Sequence, residues 1–424
     1  MRLLIPSETA LVFGGGGAKG AYQLGAAEAL DSLGIRAGSV YGTSVGALHA
    51  AMYAQGRMDE AAELWAQLSL DDLVAPESLA IAEEIEGLFG QPENLIDFLR
   101  RHAQHITLNI SPFAELLSRY VDEDALRRSS IRFGLVAARF PSLSGVEMML
   151  SDMAPGSAES WLLASASCYP AFPMTVIGEE RYVDGGYADN VPVAMALRQG
   201  ARHVIAIDIG RQQAHHQYAR RPNVTYIRAS HPLGGLLSFD PQRSAVNRIL
   251  GRNDTLRAFG RLRGFRYSFD PDSVRDYARR AEDFLAQLSR FDLILARKPD
   301  ASPLLSILEE ELPGAPDACD YLLRACELCA DVAHLDPAKV YTLPSFTEAL
   351  RAALDYEQAD EMLASLPGGR IGVLLAPPQP DGRLIIACLH RLLERETTLS
   401  HLTMRTLRAF PKELLCALTL RELL

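Results

Sequence analysis

Net positive charge is the first thing this chain lacks. Its 42 Lys and Arg stand against 53 Asp and Glu, a formal net charge of -11. Non-specific nucleic-acid binding needs a basic footprint to displace counterions from phosphates, so nucleic acid is not an expected partner. Cysteine is scarce as well. The six, Cys168, Cys319, Cys326, Cys329, Cys388 and Cys416, lie mostly in the last third; this excludes a disulfide-framed scaffold and fits reduced thiols in a cytosolic protein. Cys326 and Cys329 form a C-x-x-C inside the helix-like run Asp320 to His334, but no second pair follows at zinc-binding spacing, so they read as core thiols. No window offers the ~18 uninterrupted apolar residues of a membrane-spanning helix. The opening MRLLIPSETALVFGGGG has one basic residue and an apolar run broken at Pro6 and Glu8, unlike a signal peptide. The expectation is a soluble, cytoplasmic chain whose membrane contact is at most peripheral. The arginine-rich stretch Arg252 to Arg266 is a candidate patch for such contact, against the plainer reading of a solvated helix face.

What is present is an ordinary globular composition, 48% hydrophobic and 22% charged, over 424 residues, enough for a catalytic domain and a second body. The first half alternates short apolar runs with helical patterns, the arrangement of a mostly parallel sheet covered by helices on both faces. Strands are expected at Ala10 to Phe13, Ser39 to Tyr41, Phe133 to Ala138, Glu147 to Leu150, Arg181 to Val183, His203 to Ile209 and Val224 to Ile227. Lys19 to Leu33 reads as a helix with apolar Tyr22, Leu24, Ala27 and Leu30 and a stop at Gly34; Val45 to Ala54 reads as a small-residue helix. Between Met58 and Ser130 the pattern is helical, with segments at Asp59 to Leu68, Glu93 to His102 and Phe113 to Tyr120. Beyond Asp270 long helical patterns take over: Val274 to Arg290, Ala318 to His334 and Ser345 to Leu366, with one short strand or hairpin over Arg370 to Ile386. The expected division is 8–210, a 211–270 extension completing the same domain, and a mainly helical 271–424.

Three motifs carry chemistry. Gly42-Thr43-Ser44-Val45-Gly46 is a G-x-S-x-G between a strand and a helix. Its glycines permit a sharp turn that presents the Ser44 hydroxyl at a helix N-terminus, where free N–H groups and the helix dipole favour an oxyanion. Gly14-Gly15-Gly16-Gly17-Ala18-Lys19-Gly20 follows the first strand. Backbone amides of such a run can converge on a tetrahedral intermediate. A P-loop needs glycine before the lysine and Ser or Thr after it, where Ala18 and Gly20 stand. A dinucleotide fingerprint lacks its acidic residue ~20 positions on. The third motif, Asp184-Gly185-Gly186 after Tyr182-Val183, puts a carboxylate at a strand end. A serine hydroxyl needs an adjacent base, and a carboxylate can serve.

In order and context these motifs resemble the patatin-like phospholipase family, from about Leu11 to Ile209, including the small-residue helix and proline turn of Ser165 to Pro173. The resemblance implies a three-layer α/β/α patatin-like fold with Ser44 as nucleophile, Asp184 as base, and Gly15, Gly16 and Gly17 as oxyanion-hole backbone. It places Lys19 where the family carries a basic residue that steadies the loop or meets a substrate phosphate. Gly20, Gly42, Gly46, Gly185 and Gly186 are the remaining motif glycines. Phe13 stands where plant-type members carry an acidic residue. Nothing resembling the region after Asp270 is identified. His203 and His231 sit in no triad-like context, and His49, five residues after Ser44, is expected to pack or face solvent.

The implied activity is hydrolysis of acyl esters, with a phospholipid or related lipid as substrate and neither metal nor organic cofactor. Acyl transfer or thioester cleavage by the same pair, and a gated effector module, are the competing readings.

Overall fold

Strand β1 (Thr9–Phe13) is buried at every position and has a parallel partner on each side, β2 (Ser39–Thr43) and β7 (His203–Asp208). A strand covered on both faces has no polar side, which is why these runs are apolar without alternation. The computed structural model describes residues 6–89, 107–210, 216–296, 302–310, 312, 314, 316–365, 381–395 and 409–424. Its contacts divide the chain into two units, Met1–Ala258 and Phe259–Leu424.

In the first unit the sheet runs β5-β6-β3-β2-β1-β7-β8. From β3 (Arg132–Phe140) through β2, β1 and β7 to β8 (Val224–Arg228) all neighbours are parallel. Antiparallel β4 (Ser144–Met149), β6 (Glu180–Asp184) and β5 (Thr175–Ile177) extend it beyond β3. The mixed α/β class with a mostly parallel sheet is therefore as expected. Register brings the C-terminal ends of β1 and β2 side by side, Phe13 opposite Gly42, while Ala137 of β3 pairs with Asp184. All three motifs thus emerge at one edge of the sheet, where ligands bind in open α/β folds.

Helices α1 (Ala21–Ser32) and α2 (Val45–Gln55) follow the first two strands, and α3 (Met58–Trp65), α4 (Leu79–Phe89), α5 (Ser111–Tyr120) and α6 (Glu123–Arg128) form the helical interlude. The helix expected over Glu93 to His102 lies outside the described residues. α7 (Ala158–Ser165) ends where the expected Ser165 to Pro173 helix and turn begins, and α8 (Val193–Arg198) and α9 (His216–Ala219) flank β7. An unexpected element is α10 (Pro241–Ala258), packed along α1. Tyr22 donates to Asp254 at 2.7 Å, and the two backbones meet over Gly25 and Gly251. The buried face of α10 carries Ser244, Asn247, Asn253, Asp254 and Thr255, so it shows no hydrophobic periodicity.

The arginine-rich stretch is not a single helix face. Arg257 is buried in an ion pair with Asp254 at the end of α10, while Arg263 and Arg266, in the second unit, pair with Asp320 and Asp331. Three arginines of the candidate patch are therefore already neutralised.

The second unit is mainly helical: α11 (Pro271–Asp276), α12 (Ala278–Leu295), α13 (Leu305–Glu309), α14 (Ala318–Ala333), α15 (Leu343–Ala353), α16 (Tyr356–Ser365), α17 (Gly382–Arg395) and α18 (Pro411–Leu423). Leu414 to Leu420 are all buried, which marks α18 as a core helix packed on several sides. Two expected helices are split: Tyr277 separates α11 from α12, and Leu354 turns extended before α16. The hairpin expected over Arg370 to Ile386 is corrected where it is described: Gly382 onward is helical, because Leu384, Ile385, Cys388 and Leu389 form one buried helical stripe. Cys326, Cys329, Cys388 and Cys416 are buried free thiols, and Cys168 and Cys319 are half-buried.

The boundary falls twelve residues earlier than expected, for a local reason. Ser268 and Phe269 (β9) pair in parallel with Val340 and Tyr341 (β10). Glu327 of α14, fully buried, accepts the amides of Phe265, Arg266 and Tyr267 at 2.6, 2.7 and 3.1 Å. Burial raises its pKa, and those amides with Arg324 oppose the rise. Glu327→Ala strands three donors and should destabilise this unit by about 3 kcal/mol, while Glu327→Gln, which keeps an acceptor, should lose clearly less; urea unfolding followed by circular dichroism reads the difference.

Candidate active site

Ser44 sits between β2 and α2 with φ 56° and ψ -129°, a conformation that non-glycine residues seldom adopt. The turn is held rather than relaxed. The Ser44 amide donates to Ser165 Oγ at 2.9 Å, and that hydroxyl donates to the Val136 carbonyl at 2.7 Å. Two residues on, the Ser167 carbonyl accepts the Asp184 amide at 2.7 Å. The end of α7 thereby fixes both Ser44 and Asp184, a role that no side-chain chemistry in Ser165 to Ser167 announces.

Asp184 ends β6, its carboxylate accepts the Gly186 amide at 2.7 Å, and the Ser44 side chain lies close enough to bear on its ionisation. Burial pushes its pKa up to about 6, with the Ser44 side chain and the Gly186 amide acting against the rise. Cys168 lies nearby, but burial and the Asp184 charge push its thiol up to about 12, so it stays protonated and is no rival nucleophile.

The glycine loop is tied to the segment after Asp184. Gly15 donates its amide to the Asn190 carbonyl at 3.0 Å, and Asn190 Nδ2 returns a bond to the Gly15 carbonyl at 3.1 Å. Thr43 Oγ1 donates to the Asp189 carbonyl at 2.8 Å. The Gly15 amide is spent on Asn190, whereas the Gly16 and Gly17 amides have no partner among the described residues. Gly17 has φ +55°, and a Cβ there would overlap the Leu236 carbonyl, which accepts the Ala18 amide at 2.8 Å. Gly42, Gly46 and Gly185 lie against backbone carbonyls with no room for a side chain, and Gly186 faces Asp184 and Asn190.

These groups open on one cavity of about 1100 Å³, lined by Gly15, Gly16, Gly17, Lys19, Ser44 and Asp184. Its remaining wall is largely apolar, with Leu64, Trp65, Leu117 and Phe172 among the contributors. The segment Arg228 to Phe239, to which the sequence assigned no site residue, also lines it. Glu86 of α4 holds that segment through the Leu237 amide at 2.6 Å and Ser238 Oγ at 2.8 Å. His203 is on β7 and does not line the cavity; His231 and His49 do. His49 is buried rather than solvent-facing.

The match to the family model, patatin-like phospholipase, spans residues 11–197 and so contains all three loops. That stretch is a patatin-like phospholipase domain. Lysophospholipase NTE1 of Mycosarcoma maydis is 29% identical over 218 residues, 49% of this chain and 10% of that protein. Patatin-like phospholipase domain-containing protein 6 of Homo sapiens is 26% identical over 217 residues, 50% of this chain and 14% of its own length. This chain therefore matches only a small part of these relatives. Among solved structures, VipD from Legionella pneumophila aligns over 99% of this chain and 90% of its own at 14% identity, with a TM-score of 0.36. Among the described residues no helix is long and apolar enough to cross a membrane.

The raised pKa of Asp184 is a stability statement. Folding favours the protonated carboxyl, so its stabilisation is complete below the unfolded value near 4 and is lost as pH rises through about 6. Asp184→Asn should therefore be more stable than the parent at pH 8, by about 3 kcal/mol, with the gap closing below pH 4; urea midpoints across pH provide the check.

Proposed function

We propose that the chain is a serine lipid acyl hydrolase acting through Ser44 and Asp184. The observation that carries this reading is a buried carboxylate and a strained serine lining one cavity, together with Gly16 and Gly17, whose amides are unengaged among the described residues. Asp184 takes the Ser44 proton as Oγ attacks the ester carbonyl, forming the C–O bond of a tetrahedral intermediate. The Gly16 and Gly17 amides receive the oxyanion. Collapse breaks the bond to the leaving alkoxide, which takes the proton from Asp184. Asp184 then accepts a proton from water as its oxygen attacks the acyl-enzyme, and Ser44 is reprotonated as the fatty acid departs. No step in this sequence calls on a metal or an organic cofactor.

Apolar cavity walls suit a long acyl chain, and the relatives named as phospholipases and lysophospholipases support a phospholipid or related ester. Lys19 lines the same cavity and is assigned to positioning the loop or a substrate phosphate. Contact with a membrane surface, where such substrates reside, is peripheral in this reading.

The test is fatty-acid release from a short-chain ester and from mixed phospholipid vesicles, with and without an acceptor alcohol. Ser44→Ala and Asp184→Ala should each lose at least about 10³-fold in kcat/KM with the fold intact. Ester product formed at the expense of free acid would shift the reading to acyl transfer; a wild type silent on all esters would shift it to a gated module. Because Asp184 must be ionised to act, kcat/KM should fall about tenfold per pH unit below a pKa near 6 and level off above it.

A further inference from the structure

His49 lies one and a half turns along α2 from Ser44, and its orientation is dictated by the glycine loop. The Gly14 carbonyl is only an acceptor, so the group on Gln23 that meets it at 2.6 Å is the NH₂, which leaves Gln23 Oε1 to face His49 Nδ1 at 2.7 Å. That oxygen is also only an acceptor. Nδ1 therefore carries the proton, and in the neutral ring Nε2 is left with a bare lone pair. The ring is neutral, since burial pulls its pKa down to about 3.

Trp65 of α3 supplies the complementary atom. Its ring centroid is 4.8 Å from that of His49 at 61°, and both rings line the cavity. Exposure is 1% for His49 and 7% for Trp65. Trp65 Nε1–H and His49 Nε2 are both buried without a hydrogen-bond partner among the described residues. The two rings meet over Gly20: a Cβ there would come within 2.8 Å of His49 Cε1 and 2.9 Å of Trp65 Cζ2, atoms one and two bonds from the respective nitrogens, so only glycine lets the rings lie this close. One orphan donor and one orphan acceptor, each costly when left unpaired, thus sit on two rings in contact whose residues both line the cavity.

We infer that His49 and Trp65 form a subsite for a single hydroxyl group, which both donates and accepts at the same atom. The ligand is a lipid bearing a hydroxyl, roughly 7 Å along α2 from Ser44, a distance set by the helical rise over five residues. Two sources share this chemistry: the free glycerol hydroxyl of a monoacyl phospholipid, and a hydroxyl on the acyl chain. The inference deepens the hydrolase reading, on which its meaning as substrate selection rests, but binding does not require turnover.

The experiment is equilibrium dialysis on the full chain carrying Ser44→Ala, with probes below their micellar concentration. The pairs are 1-stearoyl-lysophosphatidylcholine against its 2-deoxy analogue, and 12-hydroxystearate against stearate. One hydroxylated member should bind about tenfold more tightly than its partner, and which pair responds identifies the source. Trp65→Phe, which keeps a ring and removes the N–H, should reduce that preference to less than about twofold. Equal affinities or no binding in both pairs would overturn the inference, as would a preference that survives Trp65→Phe. Where that variant does not fold, the two pairs decide alone. Loss of ester hydrolysis in the wild type would overturn the proposed activity without touching this binding result.

Discussion

Everything at the site depends on holding Ser44 in a backbone conformation it would leave if free. The cost of a non-glycine residue at φ 56° is of order 1–3 kcal/mol and persists only where the surroundings over-determine it. Here the surroundings are the short relay from the Ser44 amide through Ser165 Oγ to the Val136 carbonyl. Because the next turn of the same segment also holds the Asp184 amide, the serine and the carboxylate are referred to one frame. The glycine loop is referred to that frame too, through the reciprocal bonds between Gly15 and Asn190. Three loops distant in sequence are thereby set against each other by backbone bonds and by the side chains of Ser165, Asn190 and Thr43 rather than by Ser44 and Asp184 themselves.

Burial then sets the electrostatics. The same desolvation raises Asp184 toward neutrality, keeps the Cys168 thiol protonated and holds His49 neutral. A carboxylate near pH 6 is a stronger base than an exposed one and remains ionised at neutral pH. In the proposed mechanism Ser44 therefore has Asp184 as its base, while His49 is committed to Gln23 instead of to the serine.

Much of this was legible in the sequence, because its signals were local. The apolar runs of β1, β2 and β7 and the glycine-bounded Ser44 turn depend on residues within a few positions of each other. The motif trio brought Ser44, Asp184 and the glycine loop together as expected candidates, and the structure places all of them on one cavity. What stayed hidden depended on distant partners. Helix α10 buries Asn247, Asn253 and Asp254, whose bonds to Leu233, Ser230 and Tyr22 or whose close packing replace an apolar stripe. Gly15 looked equivalent to Gly16 and Gly17 until Asn190, 175 residues away, claimed its amide. The run Arg252 to Arg266 looked basic because its acidic partners lie elsewhere in the chain or one turn back on the same helix. The split of the chain near Ala258 is likewise written in Glu327, which captures the turn at Phe265 to Tyr267 from sixty residues downstream.

The central claim is that Ser44 is a nucleophile activated by Asp184. Reaction of the intact protein with an alkyl fluorophosphonate, followed by mass spectrometry of its peptides, tests it directly. The account predicts a single adduct, on the peptide containing Ser44, formed by the wild type and slowed at least about 100-fold by Asp184→Ala. A protein that remains unlabelled, an adduct on another residue, or equal labelling without Asp184 would contradict it.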